Sequence, residues 1–134
     1  MTDYFELSLT SEQLGGMSML GLAHIGDAVF ELMVRSHVCL EGKVTSGALH
    51  RETVSYVSAP AQARAIKKVE GILTAEEAAI YRRGRNSRVN SVPKGAALSE
   101  YHAATGLETL FGWLYLRGER QRLNELFAKM TEEE

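Results

Sequence analysis

The sequence is poor in several things, and each scarcity excludes a class of protein. It has one cysteine in 134 residues, Cys39, so no internal disulfide framework can form. A lone thiol fits a reducing compartment, and its place near the end of an apolar stretch predicts a small buried hydrophobe. No apolar run approaches the ~20 residues that a membrane-crossing helix needs. The opening Met1-Thr-Asp-Tyr-Phe-Glu6 has no basic region followed by an apolar one, so no secretory leader is expected. The expected location is therefore cytoplasmic, with no membrane partner. Strong charge of one sign is missing too. Lysine and arginine total 15 against 17 aspartate and glutamate, a net charge of −2, so any nucleic-acid binding must come from a local patch. His37, His50 and His102 show no ligand spacing with Cys39, which argues against a zinc site. Polar and apolar residues nowhere alternate strictly, and there is no hairpin signal or internal repeat.

What the chain has is helical periodicity. Its hydrophobic fraction of 45% is ordinary for a globular protein and its length suffices for one proper core, so residues 1–134 read as a single all-α domain. Residues 1–13 are polar and predict an irregular lead-in or short turn. A helix is expected from about Met17 to Leu40, stopped near Glu41-Gly42. A second runs from Ala48 to about Tyr56, with His50 and Arg51 on a solvated face. Ser58-Ala-Pro60 restarts a helix, with Pro60 in the first turn where its missing N–H does no harm. That helix, Ala61 to about Val69, carries Arg64, Lys67 and Lys68 and closes at Gly71. Thr74-Ala-Glu-Glu77 matches a capping box and opens a helix through Tyr81 to Arg83. A last amphipathic helix, about Arg120 to Met130, shows Leu123, Leu126 and Phe127 at packing spacing.

Two acids stand out against apolar surroundings. In Leu20–Arg35 the residues Leu22, Ile25, Val29, Leu32 and Met33 recur at helical spacing, which predicts a largely buried helix with Asp27 inside it. A carboxylate there needs compensation. It could cap a helix beginning at Ala28, or pair with Arg35 or a later arginine. His24 and Glu31 share its stripe. The second acid is Glu108, the one charge in the middle of Tyr101–Leu116, the most hydrophobic segment; Ala104, Thr105 and Gly112 lie on its stripe. Two acids, each central to an apolar helix and each near glycine, suggest convergence on a common cation. Oxygen ligands on rigid elements with room for waters suit magnesium (Mg2+).

Tyr81 to Gly95 differs in kind. It holds Arg82, Arg83, Arg85, Arg88 and Lys94 with no acidic residue, and Asn86, Ser87, Asn90 and Ser91 make it polar and turn-rich. Such a run is often only a solvated loop. In a slightly acidic chain it reads instead as a strip that grips phosphates, with Arg83, Arg85, Asn86, Arg88 and Lys94 as candidate RNA contacts. Stacking aromatics are absent from the strip's centre, which favours duplex binding by shape over single-strand binding.

These features together carry a resemblance. Gly26-Asp27-Ala28 in an apolar helix, followed by Leu107-Glu108-Thr109-Leu110-Phe111-Gly112, resembles the nuclease domain of the ribonuclease III family, whose corresponding segments bind its metal. Arg83-Gly84-Arg85-Asn86, Pro93-Lys94, Tyr101 and Ala104-Thr105 resemble the small members called Mini-ribonuclease III, and the likeness runs from about Leu14 to about Phe127. The resemblance implies a helical endonuclease bundle in which Asp27 and Glu108 are both catalytic residues and magnesium ligands. It also implies a homodimer, double-stranded RNA as substrate and maturation of large-subunit (23S) ribosomal RNA precursors; a ribosomal protein is a further candidate partner. The larger family members have glutamates four and seven residues before the key Asp, where this chain has Ala23 and Leu20, and an Asp where it has Thr105. With only 18 residues after Leu116, no appended double-stranded-RNA-binding domain is expected, and substrate contacts fall to the catalytic domain. Because family carboxylates are missing, the alternative is a non-catalytic RNA-binding or ribosome-associated module on a degenerate nuclease fold. A plain helical interaction protein, with both acids paired to arginines, is a third reading.

Overall fold

A computed structural model describes residues 1–87 and 97–132. Among them every regular element is helical: α1 Ser11–Gly15, α2 Met19–Leu40, α3 Ser46–Val57, α4 Ala59–Val69, a 3-10 turn Glu70–Ile72, α5 Ala75–Arg85, α6 Leu98–Leu116 and α7 Arg120–Met130. The lead-in ends in a short helix rather than a plain turn, because Thr10 and Gln13 cap each other reciprocally. Ser18, Thr45 and Ser58 cap α2, α3 and α4 through their hydroxyls, and Thr74 with Glu77 forms the expected box on α5. Pro60 sits in the first turn of α4, and Gly42 takes a positive φ of 95° just past α2.

The bundle is built around α6. Leu107, Leu110 and Phe111 are fully buried in it, and α2, α4 and α5 pack against it. Phe30 of α2 meets Phe111 edge-on at 5.4 Å and Phe127 of α7 at 6.0 Å, joining three helices at one aromatic centre. The N-terminal strap is tied to the far end of α6 by the Leu9 N–H donating to the Leu116 carbonyl at 2.7 Å. One buried ion pair holds α5 to α7. Arg122 donates through Nε and Nη2 to the two oxygens of Glu77, both at 2.9 Å, and to the Ile72 carbonyl at 2.6 Å.

Three expectations change here. α2 is buried on one side only: Leu22, Phe30, Val34 and Val38 enter the core, while Leu20, Leu32 and Leu40 are exposed. Apolar periodicity marked the whole stripe as core because it cannot distinguish a face turned inward from one left for something else. Cys39 is exposed, not a buried hydrophobe, since it lies on that outer side of α2. The helix expected to reach Arg83 continues through Arg85, so more of the basic stretch is helical than expected.

Candidate active site

The site is set by how closely α2 and α6 cross. A Cβ on Gly26 would lie 1.5 Å from the Glu108 carbonyl oxygen and 2.7 Å from the Gly112 amide nitrogen. A Cβ on Gly112 would lie 1.9 Å from the Leu22 carbonyl oxygen. The two backbones therefore touch with no side chain between them, which only glycine at both positions permits. Asp27 follows Gly26 on α2 and Glu108 supplies the carbonyl that Gly26 meets on α6, so both acidic residues stand at the crossing of the two helices. The α5 helix closes on the same place from the other side. A Cβ on Gly84 would lie 2.3 Å from Thr109 Oγ1, so the basic end of α5 rests on the residue next to Glu108.

Asp27 is exposed rather than buried, in the middle of α2, so it neither caps a helix nor sits in the core. It lines an open groove of about 510 Å³ with His24, Ala28, Glu31 and Leu32. Among the described residues no ion pair reaches it. Arg35, a partner considered for it, pairs instead with Glu31 at 2.7 Å. Glu108 is half-buried between the fully buried Leu107 and Thr109. The Asp position of larger relatives holds Thr105, which is 2% exposed and donates its hydroxyl to the Tyr101 carbonyl at 3.1 Å. Ala23 is likewise buried, so neither position offers a further ligand. Among the described residues no group of three or more histidine, cysteine, aspartate or glutamate side chains is poised for a metal. A carboxylate facing open solvent leaves room for the water shell that a hard divalent cation such as magnesium would keep.

The basic candidates divide. Arg82 and Arg83 are exposed in the last turn of α5, and Asn86 caps its end. Arg85 is half-buried, its guanidinium 5.6 Å from the Tyr81 ring centroid and its Nε donating to Asn86 Oδ1 at 3.4 Å. Burial pushes the Tyr81 phenol above its ordinary value, and the nearby Arg85 charge only partly opposes this. Arginines at a helix C-terminus also complement the helix dipole, so each has a structural use. Arg88 and Lys94 lie outside the described residues. Sequence reasoning missed two features. The Arg122–Glu77 pair was hidden because the capping box already explained Glu77. Arg117, stacked 4.3 Å over Trp113, gives no periodic signal.

The glycine-mediated crossing of α2 and α6 thus brings the segments of Asp27 and Glu108 and the basic end of α5 to one region of a helical domain. Residues 20–119 match the family model described as the Ribonuclease III domain. The chain is 44% identical over 128 residues to the Mini-ribonuclease 3 of Thermoanaerobacter sp. (strain X514), covering 93% of this chain and 90% of that protein. It is 40% identical over 118 residues to the Mini-ribonuclease 3 of Clostridium tetani (strain Massachusetts / E88), covering 87% and 78%. Among solved structures it is similar to protein FN1578 from Fusobacterium nucleatum, with a TM-score of 0.77, 28% identity, and coverage of 85% of this chain and 91% of that one. The chain belongs to the ribonuclease III family of endoribonucleases, in its Mini-ribonuclease 3 branch.

Proposed function

We propose that this endoribonuclease cuts double-stranded RNA by magnesium-assisted hydrolysis, with Asp27 and Glu108 as the metal ligands. The observation that supports this is the Gly26–Glu108 backbone contact, which brings the helix segments bearing Asp27 and Glu108 together although 81 positions separate the two acids in sequence. When bound, the metal supplies an activated water and polarises the scissile phosphate. The carboxylates hold and orient that ion on two rigid helices. Arg83 and Arg85, at an end of α5 fixed by Gly84, place guanidinium forks within the reach of backbone phosphates, and Asn86 adds a neutral donor. Arg88 and Lys94 belong to the same basic stretch of the sequence. No side chain acts as a covalent nucleophile.

Cutting both strands of a duplex calls for two sites, and a homodimer supplies them. The exposed apolar side of α2, with Leu20 and Leu32 beside Asp27's groove, is the surface offered to a second copy. The substrate class we assign, as the resemblance to the small members of the family implies, is a ribosomal RNA precursor of the large subunit (23S). Incubating the protein with a duplex RNA, with and without magnesium, and mapping the ends tests the proposal. Magnesium-dependent cuts on both strands are expected. Binding without cleavage under any divalent cation would leave the non-catalytic module as the function.

A further inference from the structure

A second cleft lies behind the basic end of α5. It encloses about 220 Å³ between α1, the first turn of α2, α5 and the end of α6. Cavities for drug-sized ligands run from about 300 Å³ upward, so this one suits something smaller. Leu14, Met19, Leu22 and Ile80 form an apolar wall. Arg117 and Trp113 also line it, the Arg117 Cζ lying over the indole ring 4.3 Å from its centroid. Arg117's charge is already balanced, since it pairs with Glu76 at 3.1 Å and with Glu119 at 3.7 Å. Only Glu76 Oε1 is used in that pair, which leaves Oε2 as an acceptor at the cleft's edge. Arg83 also lines the cleft, and among the described residues it has no ion pair or hydrogen bond.

We propose that this cleft is a subsite for one unpaired nucleotide, its base held in the cleft and its phosphate on Arg83. This rests on the reading of the protein as an RNA nuclease. The chemistry is specific. A base is flat and apolar on its faces, and it carries N–H donors at its edge that Glu76 Oε2 accepts. The planar face of a guanidinium offers a stacking surface to such a ring. The unpaired cation takes the phosphate, away from the Glu76 carboxylate. Continuity with the strip supports the assignment: Arg83 belongs both to the cleft and to the α5 end beside Glu108, so a strand leaving a bound duplex past Arg83 enters the cleft.

Trp113 is the only tryptophan of the chain, so its fluorescence reports on this cleft alone. Excited at the red edge of its absorption, where nucleotides do not absorb, it should respond saturably to adenosine monophosphate and not to inorganic phosphate. A duplex RNA with a single-stranded flank should bind about tenfold tighter than the same duplex with blunt ends, as expected for one stacked base. Gly15→Leu fills the cleft from α1, where an added Cβ meets nothing within 4 Å, and Ala79→Leu fills it from α5, one helical turn before Arg83. Both variants should lose the fluorescence response and the flank advantage, and Gly15→Leu should still cut the blunt duplex at the wild-type rate. A response to flanked RNA but not to the free nucleotide would identify RNA as the source, and a response to both would make free nucleotides competitors. Equal responses to phosphate and nucleotide, or a silent Trp113 in a protein that cuts duplex RNA, would overturn the subsite. A responsive Trp113 in a protein that cuts no RNA would overturn the nuclease reading and leave the subsite standing.

Discussion

Gly26 carries no side chain, and the Glu108 carbonyl occupies the space where one would stand. Adding a single methyl there must push α2 away from α6, because both atoms in conflict belong to backbone. Overpacking of this kind costs about 1–3 kcal/mol. The larger effect should fall on catalysis, since a shift of about 1 Å in a reacting group lowers rates by about 10²-fold. Gly26→Ala is expected to lower the melting temperature and, at a temperature where it is fully folded, to lose most single-turnover cleavage. Unchanged cleavage would mean that the crossing does not set the site. A second residue-scale pair, Glu77 with Arg122, serves stability alone. Burial by itself would raise the Glu77 carboxyl, but the Arg122 hydrogen bonds and the Thr74 backbone N–H outweigh it and hold the group below its ordinary 4.5. A lowered folded value contributes stability that is complete above 4.5 and lost as pH falls below it. Arg122→Ala strands that carboxylate and should cost about 3–5 kcal/mol near neutrality. Urea unfolding should show the deficit shrinking in acid, where the wild type loses the same contribution; a deficit constant with pH would mean that Glu77 is not the group responsible.

At the scale of elements, α5 shows both what the sequence discloses and where it stops. Its start was legible in Thr74-Ala-Glu-Glu77, because a capping box is a local arrangement. Its end was not, because Gly84, Asn86 and Ser87 look like turn residues until Thr109 is known to lie against Gly84. A glycine required by a partner helix and a glycine that breaks its own helix are identical in sequence. The same limit applies to Asp27 and Glu108. Their apolar settings singled them out, but the meeting of their helix segments depends on the α2–α6 crossing, and the exposure of Asp27 depends on which side of α2 meets the core. The basic end of α5 can be tested directly. Replacing Arg83 and Arg85 together with alanine should weaken duplex RNA binding and lower the slope of log affinity against log salt by roughly 0.7–0.9 for each phosphate no longer neutralised. Stability should fall by only about 0.3–1 kcal/mol for each helix-end charge removed. An unchanged slope with a large loss of stability would make these arginines structural.

For the molecule as a whole, the two long apolar segments play different parts. The α6 segment Leu107–Leu116 is buried within the subunit apart from Glu108 and Tyr115, which are half-buried, so it needs no partner. The outer side of α2 is not so covered, with Leu20 46% and Leu32 60% exposed. Of the two segments, α2 alone is left to form a dimer surface. Sedimentation at micromolar concentration should show a dimer, and Leu32→Glu should convert it to a folded monomer; a monomeric wild type would contradict this. The all-helical class was legible from periodicity, capping signals and the lack of alternation, because each of these is local.

The central claim is that Asp27 and Glu108 together hold the metal ion used in cleavage. It is tested most directly by single-turnover cleavage of a duplex RNA in saturating magnesium by Asp27→Asn and Glu108→Gln, with RNA binding measured alongside. Each substitution keeps the shape and removes the charge, so both variants should bind RNA as the wild type does and cleave at least about 10²-fold more slowly, a loss of roughly 2.7 kcal/mol of transition-state stabilisation. Cleavage near the wild-type rate by either variant would contradict the assignment.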